Sequence, residues 1–338
     1  MSKPALFLKP VIMALVFILV SLGVFSAWFY QLATTPIKYP VSTIEFSIEP
    51  GSSLRNIARQ LTEADILPDE WSFILLAHIT GHNASLKAGD YQLSSDLSPL
   101  GLLEYLAQGK VRQYAITFLE GWTFSQLRNI LNEHPALRHE SGKLDDLELL
   151  RAIGAKESRA EGLFFPDTYF FTRNSSDLTI LKRAYQAMQQ HLETAWLARQ
   201  DSLPLKNQYE GLILASIIEK ETGANRERAQ IAGVFINRLR LNMRLQTDPT
   251  VIYGMGNKFD GNLRKIDLQT DHEYNTYTRS GLPLTPIAMP GLASIQAAFN
   301  PATTDELYFV ARGDGSSQFS STLAEHNRAV LKYQKNRP

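Results

Sequence analysis

The hydrophobic pattern of the chain divides into one long unbroken apolar run and a remainder with short periods of two or of three to four residues. Residues 10–30, PVIMALVFILVSLGVFSAWFY, carry no charge and would form a helix of about 30 Å, the hydrocarbon thickness of a bilayer. Trp28, Phe29 and Tyr30 end the run, as an interfacial aromatic belt does. The pattern predicts a transmembrane helix followed by a water-soluble part.

The charges beside this run predict its orientation. Lys3, Lys9 and the terminal amine precede it, whereas only Lys38 follows closely, so residues 1–9 are expected inside and the rest of the chain outside. The alternative is a cleaved signal peptide. Its best cleavage site follows Ala27, which would place Phe25 where a small residue is needed, and the run is longer than a usual signal core. We therefore expect an uncleaved anchor.

A linker and a small folded unit are predicted next. Residues 31–43 contain Pro36 and Pro40 and lack a helical period, which is typical of a linker. Residues 44–110 predict the order strand, helix, helix, strand, helix, with serine N-caps before the first and last helices and Gly109 closing the last. This order resembles a LysM-like glycan-binding module, with PGSSLRNIARQL in the place of its first turn and helix. A generic small α+β packing domain is the alternative.

Residues 111–338 predict a larger mixed α+β domain. VRQYAITFLEG alternates as a strand, Thr123 and Gln126 could form a capping box, and a long helix covers about residues 176–200. Between them lies the aromatic segment EGLFFPDTYFF (161–171). The predicted fold class is therefore α+β, with one N-terminal transmembrane helix, a small LysM-like subdomain and a larger mixed domain that carries the chemistry.

Two carboxylates at the end of an apolar helix are the leading chemical candidates. In EGLILASIIEKETG (210–223), laid out at roughly 100° per residue, Glu221 falls on the apolar arc, and Glu219 projects on the other side among small and polar neighbours. Burial disfavours the charged form of a carboxyl group, so the pKa of Glu221 is expected to be raised and Glu221 is the better general acid. The arc consists of Ile213, Leu214, Ile217 and Ile218.

Composition excludes several other classes of function. The 34 basic and 34 acidic residues cancel, so no global field attracts nucleic acid, and the absence of cysteine excludes thiolate chemistry. His78 and His82 have helical spacing but no third ligand beside them, so no metal site is predicted, and no cofactor is expected. Residues 313–316, Gly-Asp-Gly-Ser, predict a hairpin turn rather than a phosphate loop. Ser294 lacks the glycine pattern of a nucleophile elbow.

Several longer motifs carry a specific resemblance. ASIIEKET, VFINRLRLNMRLQTDPTVIYGMG, YNTYTRSGLP, AMPGLASIQAAFNP and LYFVARGDGSSQFSSTLAEHN, together with EGLFFPDTYFF and the anchor, resemble the YceG-like family of endolytic murein transglycosylases. The resemblance implies cleavage of the MurNAc–GlcNAc bond within peptidoglycan strands without water, leaving 1,6-anhydro-MurNAc ends. In that reaction the sugar's own C6 hydroxyl attacks, so one glutamate can protonate the leaving oxygen and then deprotonate the hydroxyl.

The resemblance also favours one glutamate. Lytic transglycosylases and goose-type lysozymes place the catalytic acid directly before a serine, and Glu221-Thr222 resembles that pair, whereas Glu219-Lys220 does not. We therefore predict Glu221 as the catalytic residue, with Glu219 as the second choice. Aromatic rings and amide groups commonly hold sugars. The substrate-binding candidates of this kind are Asn237, Arg238, Gln246, Thr247, Asp248, Tyr253, Tyr274, Asn275, Thr276 and Tyr277.

The resemblance further implies a location and partners. It places the anchor in the bacterial inner (cytoplasmic) membrane and the catalytic part in the periplasm, in contact with glycan strands and with peptidoglycan synthases (penicillin-binding proteins), and implies a role in ending strand elongation. Two alternatives stay open. One is a catalytically silent, membrane-tethered peptidoglycan-binding scaffold. The other is a hydrolytic muramidase, which would need a second carboxylate near Glu221, for which Asp248 and Glu161 are the candidates.

Overall fold

A computed structural model of the chain describes residues 5–37, 43–223 and 225–335. Within these residues the chain is a mixed α+β protein of helices and short two-stranded sheets, which confirms the predicted α+β class. The chain forms two compact units, Met1–Tyr114 (unit 1) and Ala115–Pro338 (unit 2). The predicted borders at residues 43/44 and 110/111 stay predictions, as do the roles assigned to the segments.

Unit 1 consists of a long N-terminal helix and a small α+β body. Its helices are α1 (Ala5–Thr34), α2 (Leu54–Glu63), α3 (Glu70–Ile79) and α4 (Pro99–Gln108), and its strands are β1 (Thr43–Ile48) and β2 (Gly89–Ser94). Over Val11–Thr34, α1 is long and apolar enough to cross a membrane. The helix continues to Thr34, four residues past the end of the predicted span at Tyr30.

The body of unit 1 follows from local signals in its sequence. Ser53 accepts a hydrogen bond from the Asn56 amide at the start of α2, and Ser98 accepts one from the Gly101 amide at the start of α4. Gly109 ends α4 in the left-handed region (φ 68°), which glycine adopts without steric cost. Strands β1 and β2 pair antiparallel. The order of elements is the predicted one, and the LysM-like function stays a prediction.

Unit 2 is the larger of the two. Its strands are β3 (Tyr114–Thr117, which begins at the last residue of unit 1), β4 (Leu137–Arg138), β5 (Thr168–Phe171), β6 (Ser175–Ser176), β7 (Tyr308–Ala311) and β8 (Ser317–Ser320). Its helices are α5 (Phe124–Glu133), α6 (Asp146–Ile153), α7 (Asp177–Leu197), α8 (Gln208–Glu221), α9 (Arg228–Arg240), α10 (Asp248–Met255), α11 (Lys265–Gln269), α12 (Leu292–Phe299) and α13 (Leu323–Val330). The pairs β3–β5, β4–β6 and β7–β8 form small sheets.

Helix α8 lies at the centre of unit 2 and positions the two glutamates. All residues from 211 to 218 are buried. A side chain at Gly211 would place its Cβ 2.0 Å from the Phe299 ring, so glycine is required where α8 and α12 approach each other. The buried Ser216 hydroxyl accepts the Ile287 amide at 3.0 Å, which fixes the segment after residue 285 to the helix. The end of α8 is therefore held on several sides.

Local sequence signals also hold elsewhere in unit 2. Thr123 and Gln126 form the predicted capping box of α5. Strands β7 and β8 pair antiparallel, so residues 313–316 lie in a hairpin connection, as predicted. Ser294 lies buried within α12 and accepts a hydrogen bond from the Arg228 guanidinium at 2.9 Å, consistent with a structural rather than a nucleophilic position.

Candidate active site

Glu221 is the last residue of α8, where the apolar interior of the helix meets a polar neighbourhood. Its carboxylate accepts a hydrogen bond from the Thr247 hydroxyl. Burial raises the pKa of Glu221 to about 7, the Thr247 hydrogen bond acts against this rise, and the negative charge of Asp248 adds to it. A carboxylate at a helix C-terminus is further disfavoured by the helix dipole. The expected raised pKa is therefore confirmed.

A small polar network surrounds Glu221. The Tyr277 hydroxyl donates to Asp248 Oδ1 at 2.5 Å. The Thr247 amide donates to Thr276 Oγ1 at 3.1 Å, which ties the start of α10 to the segment 274–277. Arg238 contributes positive charge that lowers the pKa of Glu221. The Thr247, Asp248 and Tyr277 predicted from sequence are thus brought together around this one carboxyl group.

Arg238 is held mainly by the main chain. Its Nε donates to the Leu307 carbonyl at 2.6 Å and its Nη1 donates to the Leu245 carbonyl at 2.7 Å. The side chain is buried, and its guanidinium lies over the Tyr308 ring at 5.2 Å. Arg238 therefore connects the segments that precede β7 and α10. It also supplies a fixed positive charge near Glu221.

Glu219 has a different environment, two residues earlier on the same helix. Its Oε1 lies 3.2 Å from Arg228 Nη2, and both side chains are almost fully buried, at 7% and 6% exposed. Its Oε2 accepts the Gly291 amide at 2.9 Å. The sequence predicts small and polar neighbours for Glu219, whereas the structure places a buried ion pair there. The partner comes from the start of α9, after the helical register has ended at Thr222.

Of three further substrate-binding candidates, two donate hydrogen bonds to main-chain carbonyls and one is exposed. Asn237 Nδ2 donates to the Thr304 carbonyl at 2.7 Å, and Asn275 Nδ2 donates to the Thr270 carbonyl at 2.7 Å. Both amides therefore hold loops in place. Gln246 is exposed, with a positive φ of 52°. A sugar-binding role for these residues stays a prediction.

Tyr253 and Tyr274 lie at a second place, beside Glu161. Their rings meet edge to face with centroids 4.8 Å apart, and the Tyr253 hydroxyl donates to Glu161 Oε2 at 3.1 Å. Glu161 also accepts the Phe124 amide at 3.0 Å. Burial raises the pKa of Glu161 to about 7, against these hydrogen bonds. Glu161 is thus a second buried carboxyl group that titrates near neutral pH.

A cavity of about 560 Å³ opens beside this group. Such a volume lies in the usual range of ligand pockets. Asn129, Asn132 and Arg159, which line it, are exposed. The remaining lining residues are Phe124, Ser125, Arg128, Asp146, Ala160, Glu161, Tyr253, Tyr274 and Thr285.

The Glu161 cavity and the Glu221 neighbourhood share two elements. Helix α10 carries Asp248 at one end and Tyr253 five residues later, about 7.5 Å along the helix axis. The segment 274–277 likewise carries Tyr274 on the cavity and Tyr277 on Asp248. The two places are therefore joined by α10 and the segment 274–277 of unit 2.

Comparisons with known proteins show the family to which the chain is related. A model of the YceG-like family matches residues 46–332, most of the chain. The chain belongs to the YceG-like family. An endolytic murein transglycosylase of Bacillus subtilis (strain 168) is 33% identical over 313 residues, covering 86% of this chain and 85% of the relative. One of Streptococcus pneumoniae (strain D39) is 28% identical over 324 residues, covering 86% of this chain but 58% of that longer relative.

A solved structure shares the fold. The crystal structure of a YceG-like protein from Listeria monocytogenes matches with a TM-score of 0.53 at 30% sequence identity, covering 85% of this chain and 98% of the other. The YceG-like assignment made from the motifs is thereby confirmed.

Sequence reasoning missed several residues that shape the site of this YceG-like chain. Arg228 pairs with Glu219, Ser216 anchors the 285–291 segment, and Glu120 lies against Gly291. Burial raises the pKa of Glu120, and the nearby Glu219 charge adds to this. None of these contacts follows a helical or strand period, because each joins residues from separate elements. Only the three-dimensional structure brings them together.

Proposed function

We propose that this chain is a membrane-anchored lytic transglycosylase that cuts the MurNAc–GlcNAc bond within peptidoglycan strands and leaves 1,6-anhydro-MurNAc ends. Family membership and the shared name of the relatives make it an enzyme of the murein transglycosylase type, a lyase. The observation that carries the proposed mechanism is the partly buried Glu221 carboxyl group, whose pKa of about 7 keeps much of it protonated at neutral pH.

The proposed reaction uses Glu221 twice. Protonated Glu221 donates its proton to the glycosidic oxygen as the bond to the anomeric carbon breaks. The carboxylate formed then accepts the proton of the C6 hydroxyl of the same MurNAc residue, while that oxygen forms the new bond to the anomeric carbon. The proton balance closes, so Glu221 ends protonated and no water is consumed. Intramolecular attack gains from a high effective concentration of the hydroxyl.

The neighbours of Glu221 support both steps. The Thr247 hydroxyl donates to the carboxylate and therefore favours the charged form that acts as base. Asp248, beside it, favours the protonated form that acts as acid, and its negative charge would stabilise positive charge on the sugar ring. A pKa near neutral pH suits a group that must both give and take a proton.

The cavity beside Glu161 is the proposed place for the continuing strand. Its tyrosine rings, open asparagine amides and buried carboxyl group are groups that grip pyranose rings and N-acetyl groups. The cavity and the Glu221 neighbourhood share α10 and the segment 274–277, which suits a polymer that contacts both places. The candidates Tyr253 and Tyr274 would then bind sugars next to the cleaved bond rather than at it.

The anchor and the partners complete the proposal. The apolar run of α1 supports a single-pass placement in the inner membrane, with residues 1–9 in the cytoplasm and the remainder in the periplasm. An enzyme held there meets newly made strands first, which supports contact with peptidoglycan synthases and a role in ending strand elongation.

One observation favours a second candidate function, a hydrolytic muramidase. Asp248 lies close enough to Glu221 for its charge to raise the pKa of that group. Two neighbouring carboxyl groups, one protonated and one charged, are what hydrolytic glycosidases use. Asp248 could then activate a water instead of leaving the attack to the C6 hydroxyl.

The mass of the products separates the candidates. Purified peptidoglycan sacculi would be digested with the full-length protein in detergent, and the soluble muropeptides analysed by mass spectrometry. The proposal expects muropeptides with anhydro-MurNAc ends, one water lighter than reducing-end MurNAc, and no release by Glu221→Gln. Reducing-end products would favour the muramidase. Binding to sacculi without any release would favour the non-catalytic scaffold.

A further inference from the structure

Helix α3 carries large apolar side chains on its exposed side as well as on its buried side. One face is buried in the core and includes Phe73, Leu76 and Ala77. The opposite face, defined here as the outer face of α3, consists of Trp71, Leu75, His78 and Ile79, which helical spacing places on one side. Trp71 is 56% exposed and Ile79 is 64% exposed. Large apolar side chains on the exposed side of a helix are typical of an interaction surface or of contact with a membrane.

The end of α1 is part of the same folded unit rather than a free tether. Ala33 is only 5% exposed and belongs to the unit 1 core, with Phe29 and Ile37 packed against it. Just past the helix, the Ile37 amide donates to the Leu97 carbonyl at 2.9 Å. The last turns of α1 therefore fix the height and the orientation of the small α+β body relative to the apolar helix.

A ring contact joins the outer face of α3 to the apolar helix itself. The Trp71 ring lies 6.5 Å from the Phe25 ring, and Phe25 stacks on Phe29 at 6.0 Å. Phe25 lies five residues before Tyr30, the end of the predicted apolar span, about 7.5 Å along its axis. If α1 crosses the bilayer, Trp71 lies at the level of the last turns of the span. Tryptophan is enriched at that level, the interface of lipid and water.

We propose that the outer face of α3 lies in the outer headgroup layer of the bilayer, so that unit 1 rests on the membrane by two contacts, the span and α3. The inference rests on the proposed anchor. The exposed Trp71 and Ile79 side chains would lie in the lipid surface. The start of the helix keeps its capping hydrogen bond there, because Asp69 accepts the Ser72 amide at 2.8 Å. The small body is thereby held at one fixed distance from the membrane.

Lipid quenching of single tryptophans tests the proposal in the full-length chain. The chain has four tryptophans, Trp28, Trp71, Trp122 and Trp196. Three variants, each with three of them changed to Phe, would retain only Trp71, only Trp28 or only Trp196. They would be placed in phosphatidylcholine nanodiscs with acyl chains brominated near the headgroup. We expect the emission of Trp71 to be strongly quenched and blue-shifted, and that of Trp196 to be unaffected.

The Trp28 variant separates failure of this inference from failure of the anchor. Quenching of Trp28 without quenching of Trp71 would overturn the contact of α3 with lipid and leave the anchor intact. Absence of quenching at both positions would overturn the anchor as well. If Trp71 escapes lipid quenching and is also shielded from aqueous acrylamide, the outer face of α3 is covered by protein and the proposal is wrong.

Discussion

Glu219 and Glu221 lie two residues apart on one helix, yet the surroundings of the two carboxylates differ in kind. Glu219 faces Arg228 in a buried ion pair and accepts a main-chain amide. Glu221 accepts the Thr247 hydroxyl and has the negative Asp248 beside it, and its pKa is raised to about 7. The surroundings of Glu221 therefore favour a proton held near neutral pH.

The difference shows that burial alone does not make a general acid. The Glu219 carboxylate has a guanidinium and a main-chain amide as partners, whereas loss of water and the neighbouring charge of Asp248 raise the pKa of Glu221 and make it a proton donor. The Glu219 side chain thus links α8 to α9 and to Gly291, whereas Glu221 is the proton donor of the proposed mechanism.

The largest expected effect is on the rate of peptidoglycan cleavage when each glutamate is exchanged for glutamine. The rates of the two variants should differ strongly. Glu221→Gln removes the only proton donor of the proposed mechanism, so kcat on peptidoglycan should fall by about 10²–10⁴-fold. Glu219→Gln keeps an acceptor for Gly291 and should retain far more activity. The measurement is the initial rate of muropeptide release. A larger loss for Glu219→Gln than for Glu221→Gln would reverse the assignment.

The ion pair of Glu219 with Arg228 should contribute to the free energy of unfolding rather than to the catalytic rate. Glu219→Ala removes the carboxylate of a buried ion pair, so the free energy of unfolding should fall by about 3–5 kcal/mol. Urea unfolding in detergent would measure the loss. The control is Glu63→Ala, which breaks the exposed pair with Arg59 and should change stability little. Equal losses for the two variants would contradict a structural role for the buried pair.

Raised pKa values also predict how stability depends on pH. The folded chain holds the Glu221 proton up to about pH 7, whereas the unfolded chain releases it near 4.5, the ordinary pKa of a glutamate. This contribution to stability is full below pH 4.5 and is lost as pH rises to 7, a change on the order of 3 kcal/mol. The difference in unfolding free energy between wild type and Glu221→Gln should therefore shift against wild type between pH 5 and pH 8.

Glu161 allows an independent check of this pH effect, since its pKa is also raised to about 7 by burial. Glu161→Gln should reduce the pH dependence of the free energy of unfolding by about as much as Glu221→Gln does. The double variant should show both reductions. A pH dependence that is the same in wild type and in both variants would contradict the raised pKa values.

Parts of this arrangement follow from the sequence, and parts do not. The helical period places Glu221 on the apolar arc of α8, since the helix continues to that residue, and the capping signals of α2, α4 and α5 are local. The pairing of Glu219 with Arg228 could not be predicted, because α8 ends before Thr222 and Arg228 belongs to the next α-helix, α9. Only the packing of the two helices brings the side chains together. The grouping of Glu161 with Tyr253 and Tyr274 likewise joins segments about 90 and 110 residues apart.

The hydrogen bond from Thr247 should tune the pH range of catalysis. Since activity requires protonated Glu221, kcat/KM should be level below about pH 7 and fall above it. Thr247→Val removes a donor that favours the carboxylate, so the pKa of Glu221 should rise and the fall should move to higher pH. A hydrogen bond worth about 1 kcal/mol corresponds to a shift of up to roughly one pH unit.

Thr250→Val is the matched control, because the buried Thr250 hydroxyl bonds the Thr247 carbonyl and Thr276 rather than Glu221. It should lower stability without moving the pH at which kcat/KM falls. A shift to lower pH in Thr247→Val, or an equal shift in Thr250→Val, would mean that the hydroxyl acts on Glu221 only through the fold. A shift confined to Thr247→Val would instead identify the fall above pH 7 as the titration of Glu221, which the loss of activity in Glu221→Gln cannot do alone.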